Sequence, residues 1–207
     1  MIIVFARAPV PGRAKTRLIP RLGGWRAARL HVRLVRHALA VAAAADCGPV
    51  ELHGTASHSW FRTMKRFKLQ KGMNLGARMH HAIAGSLRKS ERVIVIGADC
   101  PALTPRDLGR ADRLLRGGCD AVLAPAEDGG YALIGLKRVS PLLFEAIAWG
   151  GRDVCSETVR RLDRLGYRWR ALRTLWDVDR PEDLRRLDTA RLRSLRFASA
   201  PRRGARR

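Results

Sequence analysis

The sequence contains no Cys-x-x-Cys pair, no HExxH, no GxGxxG and no complete Walker A loop. These absences remove the usual signs of a thiol redox centre, a zinc hydrolase, a dinucleotide fold and a P-loop NTPase. Cysteine is sparse: Cys47, Cys100, Cys119 and Cys155 are scattered through 207 residues. A chain this large needs no disulfide staples, so a reduced, cytoplasmic protein is expected. The longest apolar stretch, Leu34 to Ala45, is interrupted by Arg36 and His37 and falls far short of a membrane span. The opening Met1-Ile2-Ile3-Val4-Phe5 is too short for a signal-peptide core and lacks its basic start. Only 12 residues are aromatic, and no RNA-recognition signature accompanies them.

Acidic residues are also few, at 18 against 41 basic ones, for a formal net charge of +23. That surplus invites a nucleic-acid reading, but it is unevenly placed. Residues 1–98 hold 18 basic and 3 acidic side chains, residues 99–184 hold 14 of each, and residues 185–207 hold 9 and 1. The carboxylates therefore crowd into the middle block. Of the 41 basic residues 35 are Arg, a skew that genome composition explains as well as a functional surface does. The best aromatic-basic patch, Trp60-Phe61 with Lys65-Arg66-Phe67-Lys68, reads as a solvated helix face. Hydrophobic residues make up 46%, enough for a folded core.

Strand and helix signals alternate along the chain. Met1 to Ala6 is an apolar run ending at Pro9-Val10-Pro11-Gly12, which predicts a buried strand feeding a rigid loop. Gly24 to Ala45 has helical spacing, Val50 to Gly54 reads as a strand, and Ser57 to Phe67 as a short helix. Leu75 to Leu87 is a further helix, Arg92 to Gly97 a buried strand, and Thr104-Pro105-Arg106-Asp107 a capping box opening a helix. Strands are expected at Cys119 to Pro125, Gly130 to Leu136 and Tyr167 to Leu175. Helices are expected at Pro141 to Ala148, at Asp153 to Leu165 and from Pro181 onward. The adjacent His80 and His81 point apart on their helix, as surface residues. The alternation predicts an α/β fold with a mostly parallel sheet covered on both faces. One domain spans 1–197, followed by a basic tail at 198–207.

Ligands of such sheets bind at the carboxyl ends of the strands. Four polar segments follow strands: Arg7–Arg17, Asp99–Pro101, Glu127–Gly130 and Asp177–Asp179. The first joins Gly12 to Lys15 and Arg17, chemistry suited to phosphate, although an ordinary basic loop would look the same. Asp99 after the strongest strand could hold a divalent cation or simply cap a turn. Glu127-Asp128-Gly129-Gly130 reads as a turn that lets backbone and substrate approach closely. Asp177 and Asp179 share a strand face and could reach a metal, but Asp179 is equally a helix N-cap. Gln70 could read a base edge, or belong to a polar loop before a helix capped by Asn74.

Together FARAPVPGRAKTRL, LQKGMNLGARM, VIGADCPALTP, PAEDGGYALIGL and DVDRPEDL occur in order. This set resembles the DUF2064 glycosyltransferase-like family of the GT-A, or nucleotide-diphospho-sugar transferase, superfamily, from Met1 to about Leu184. Around Ala14-Lys15-Thr16-Arg17-Leu18 it is also similar to the 2-phospholactate guanylyltransferases. The resemblance implies a single Rossmann-like α/β/α sandwich. It implies that Gly12, Lys15 and Arg17 hold the phosphates of a nucleotide or nucleotide-sugar donor, and that Ala6, Gln70, Gly76 and Asp99 complete the nucleotide site. It further implies Mg²⁺ or Mn²⁺ on Asp99 with Asp179, or with Asp177 as the weaker candidate. Glu127, Asp128, Gly129 and Gly130 would face an unknown small-molecule acceptor. Lys15, Asp99 and Asp128 would be catalytic, Asp128 as the base.

Three departures stand out. Arg7 occupies a position where Lys is expected, Asn74 replaces a common acidic residue, and Trp149-Gly150-Gly151-Arg152-Asp153-Val154 differs from the usual Trp-Ser-Thr type segment. The leading expectation is metal-dependent glycosyl transfer. The alternative is nucleotidyl transfer with pyrophosphate release, in which an anionic acceptor needs little help from a base. A basic nucleic-acid-binding protein is the lesser alternative.

Overall fold

The structure is a computed structural model that describes residues 1–189 and 192–195. The basic tail expected at 198–207 lies outside the described residues. Seven strands form one sheet: β1 Ile2–Ala6, β2 Val50–Gly54, β3 Phe67–Leu69, β4 Val93–Gly97, β5 Ala121–Pro125, β6 Tyr131–Leu136 and β7 Trp169–Ala171. Their order is β3-β2-β1-β4-β6-β5-β7, and all pairs are parallel except those made by β6. The reason is local. The turn at 126–130 closes β5 onto β6, with Ala126 N donating to Gly130 O at 2.9 Å, so β6 must return antiparallel.

The helices are α1 Ile19–Leu22, α2 Gly24–Ala44, α3 Ser59–Arg62, α4 Leu75–Leu87, α5 Pro105–Arg116 and α6 Val154–Arg164. Side chains alternate across each strand. Ile2 and Val4 pack with Val35 and Ala38 of α2 and Leu108 and Ala111 of α5. Ile3 and Phe5 pack on the other face with Met79 and Ile83 of α4 and Leu162 of α6. Two-sided burial explains why β1 and β4 are continuous apolar runs. The expected α/β/α sandwich is therefore observed.

Local chemistry sets the boundaries. Asn74 Oδ1 accepts from Ala77 N at 2.9 Å and starts α4. Thr104 and Asp107 form the expected capping box at α5. Three expectations change. Only Ser59–Arg62 of the 57–67 segment is helical, and Phe67–Leu69 is an edge strand, because Phe67 is drawn down to stack on Phe61 at 5.2 Å. Phe61 is fully buried, so Trp60-Phe61 is not a solvated face. Of 141–148 only Pro141–Leu143 forms a short 3-10 turn, and the chain from Pro181 runs as 3-10 helix to Asp188.

Asp177 and Asp179 lie in irregular chain after β7 and share no strand face. Asp179 is not the N-cap either. Asp183 Oδ2 accepts from both Asp179 N and Arg180 N, at 3.0 and 2.7 Å, which leaves the Asp179 carboxylate free for another partner. Among the described residues no helix is long and apolar enough to cross a membrane, and all four cysteines are free.

Candidate active site

The strand order reverses between β1 and β4, since β2 lies on one side of β1 and β4 on the other. The crevice at such a switch point is where open α/β sheets place their ligands. Here the loop after β1 meets the loop after β4. Lys15, at φ 51°, is one of three non-glycine residues with positive φ among the described residues, an uncommon state for an L-residue. Its side chain is 4% exposed, and Nζ lies 3.0 Å from Asp99 Oδ1 while donating to the Val178 carbonyl. Two residues on, Arg17 pairs with Asp179. The two cations that the sequence assigns to phosphate thus stand against two of the carboxylates that it assigns to metal.

Asp99 has a second side-chain neighbour. His31 of α2 is buried, with Nε2 at 2.9 Å from the Arg7 carbonyl oxygen and Nδ1 at 3.3 Å from Asp99 Oδ1. Burial pushes the Asp99 carboxyl up, but the Lys15 ammonium and His31 outweigh it and hold it well below the usual carboxylate range. Oδ1 is sealed from solvent, yet the side chain as a whole is 43% exposed, so its remaining surface opens outward. His31 is not among the expected site residues; its one signal in the sequence is a polar residue among the buried apolar positions of α2.

Asp99 opens into a cavity of about 240 Å³. Asp128 and Asp177 line the same cavity; Phe5, Met79, Ile134 and Val154 form much of its apolar wall. Asp128 Oδ1 accepts from Gly130 N at 2.9 Å, and neither Asp128 nor Asp177 has an ion pair among the described residues. Burial raises the Asp177 carboxyl to about 6, helped by the negative charge of Asp128.

Other predicted residues sit elsewhere. Glu127 is held by Arg186 through two hydrogen bonds of 2.6 and 2.8 Å and is not part of the cavity lining. Asp179 is also outside that lining. Gln70 spends its amide nitrogen on the His53 carbonyl at 2.8 Å and lies 3.4 Å from that of Ala6, tying the ends of β1 and β2 together. Gly76 is buried beneath Trp149, and a Cβ there would come within 2.8 Å of the indole. Trp149 itself lines the cavity, with its indole nitrogen buried and lacking a hydrogen-bond partner among the described residues. Gly129 has φ 91°, and a Cβ there would lie 2.0 Å from the Arg152 carbonyl oxygen, so the rim turn demands glycine. Gly12, at φ 81°, is exposed in the basic loop.

Among the described residues, no three His, Cys, Asp or Glu side chains converge as a metal cluster. Mg²⁺ is ordinarily held by one or two carboxylates together with substrate phosphates. Asp99 and Asp177 offer two oxygen-donor side chains on one cavity. The donor set therefore fits a hard divalent cation shared with a phosphate.

A family profile described as "Uncharacterized protein conserved in bacteria (DUF2064)" matches residues 31–151. No curated protein matches the sequence. A structure from Desulfovibrio desulfuricans G20, provisionally described as a nucleotide-diphospho-sugar transferase, is 28% identical; the alignment covers 95% of this chain and 98% of that one, with a TM-score of 0.81. A nucleotidyl transferase from Methanothermobacter thermautotrophicus is similar in fold, at 14% identity, 94% and 99% coverage and a TM-score of 0.62. So is Rv0371c of Mycobacterium tuberculosis H37Rv in complex with manganese, at 20% identity, 90% and 97% coverage and a TM-score of 0.54.

Proposed function

The chain belongs to the DUF2064 family, and from that premise we propose that it is a metal-dependent glycosyltransferase using a nucleotide-activated sugar donor. The observation that carries this reading is the convergence of Asp99, Asp128 and Asp177 on one cavity, with Lys15 at its back. The neighbour from Desulfovibrio, described as a transferase of nucleotide-diphospho sugars, supports the class. A manganese-bound neighbour of the same fold supports the metal. The free cysteines support a reducing, cytoplasmic setting.

Asp99 and Asp177 would hold Mg²⁺ or Mn²⁺, which when bound supplies neutralising charge to the donor's diphosphate. Arg17, exposed beside the same crevice, can exchange its carboxylate partner for a phosphate oxygen, and Lys15, buried behind Asp99, adds positive charge from within. Gly12 lets the loop approach the donor without a side chain in the way. Asp128 keeps one carboxylate oxygen on Gly130 N and leaves the other for the acceptor proton.

The second reading is nucleotidyl transfer, favoured by the Lys15-Thr16-Arg17 loop and by the fold shared with a nucleotidyl transferase. Incubation of the full chain with nucleotide sugars and with nucleoside triphosphates, plus Mg²⁺ or Mn²⁺, separates the two. Release of nucleoside diphosphate supports glycosyl transfer. Release of pyrophosphate supports the second reading.

A further inference from the structure

The cavity beside Asp99 has an unusual combination of walls. Phe5, Leu75, Met79, Val95, Ile134 and Val154 supply aliphatic and aromatic surface, while Asp99, Asp128 and Asp177 stand on it as carboxylates. No Lys, Arg or His is among the residues lining it. This is notable in a protein with 41 basic residues. The nearest cation, Lys15, is sealed behind Asp99, with its ammonium shared between that carboxylate and the Val178 carbonyl. Apolar surface continues outside: Leu75 is 42% exposed at the mouth, and Met73 before it is fully open.

Resting on the transferase reading, we propose that the acceptor is an uncharged alcohol with a compact apolar body, seated against Phe5, Met79, Ile134 and Val154 with its hydroxyl at Asp128. With the divalent cation on Asp99 and Asp177 given over to the donor's diphosphate, a phosphomonoester acceptor would set its charge against Asp128 and that diphosphate with no lining Lys or Arg to answer it. A free sugar would press several hydroxyls against aliphatic walls that offer no partner, a penalty for each group. An apolar body gains from the same walls in proportion to the area removed from water. In the transfer step the acceptor oxygen bonds to the anomeric carbon of the donor sugar. The bond from that carbon to the diphosphate oxygen breaks, its electron pair leaving on the nucleoside diphosphate. The hydroxyl proton passes to Asp128.

The test uses the ¹⁵N-labelled full chain and three probes: benzyl alcohol, benzyl phosphate and glucose. The Trp149 indole N–H resonance, assigned with Trp149→Phe, reports on the cavity directly. Benzyl alcohol is expected to shift it with an affinity about tenfold or more above the other two probes, the gap expected from one unfavourable charged contact. Leu75→Asp, at a half-exposed site at the start of α4, is expected to weaken benzyl alcohol about tenfold, and Leu75→Met to leave it unchanged. Equal or tighter binding of benzyl phosphate or glucose overturns the proposal, as does a Trp149 resonance indifferent to benzyl alcohol. Binding of UDP with Mn²⁺ is measured on the same sample by calorimetry. Its failure would count against the transferase reading, while the ranking of the three probes decides the acceptor class by itself.

Discussion

Lys15 Nζ and Asp99 Oδ1 stand 3.0 Å apart across the crevice between β1 and β4. The pair joins a loop residue in left-handed backbone to the carboxylate that follows β4. It places the cation proposed for phosphate and the carboxylate proposed for metal at one point, so the two proposed roles meet there.

Replacing Lys15 by Ala should therefore weaken nucleoside diphosphates more than nucleosides. The loss of one charge-assisted contact predicts a drop of about ten- to a hundredfold for the diphosphate. Calorimetric titration of both ligand classes checks this, and equal weakening would remove the phosphate role.

Gly129→Ala should damage the rim of the cavity. The new Cβ cannot coexist with the Arg152 carbonyl, and φ 91° is strained for any side chain. Turnover should fall with the melting temperature little changed if the turn at 126–130 deforms locally. A variant with unaltered turnover would show that this turn does not shape the site.

The capping box of α5 gives a pH-dependent prediction. Burial pushes the Asp107 carboxyl up, but hydrogen bonds from Arg173 and Thr104 outweigh it and hold it below the ordinary 3.8. A carboxyl depressed in the folded state stabilises above its unfolded value and loses that contribution as the pH falls through the folded value. Stability should thus decline on acidification from about pH 4 downward, and Asp107→Asn should flatten that limb. Denaturant melts at a series of pH values measure it. Thr104→Ala should cost about 1 kcal/mol at neutral pH.

Phe61→Ala should cost about 3 to 5 kcal/mol, the range for a large buried aromatic. Phe61 is fully buried, stacks on Phe67 and closes over Gly54, where a Cβ would lie 2.6 Å from its ring. Chemical denaturation reads the loss, and a cost near zero would contradict the packing described for β2 and β3.

What the sequence revealed follows from the range of the forces involved. The strands β1 and β4 and the caps at Asn74 and Thr104 depend on side chains within a few residues, so pattern alone located them. The edge strand Phe67–Leu69 did not stand out, because three residues carry little pattern and its pairing comes from β2 and Phe61. Asp99, Asp128 and Asp177 were all visible as polar strand-end residues. That Asp177 rather than Asp179 faces the cavity was not, since it depends on Asp183 capping the next turn and Arg17 taking Asp179. His31 was invisible because its contact with Asp99 spans the interface between α2 and β4.

The most direct test of the account is calorimetric binding of a nucleoside diphosphate to Asp99→Asn, with and without Mn²⁺, beside the unaltered chain. The account predicts metal-enhanced binding in the unaltered chain, loss of that enhancement in Asp99→Asn, and an unchanged circular dichroism spectrum. Equal enhancement by Mn²⁺ in both proteins would contradict it.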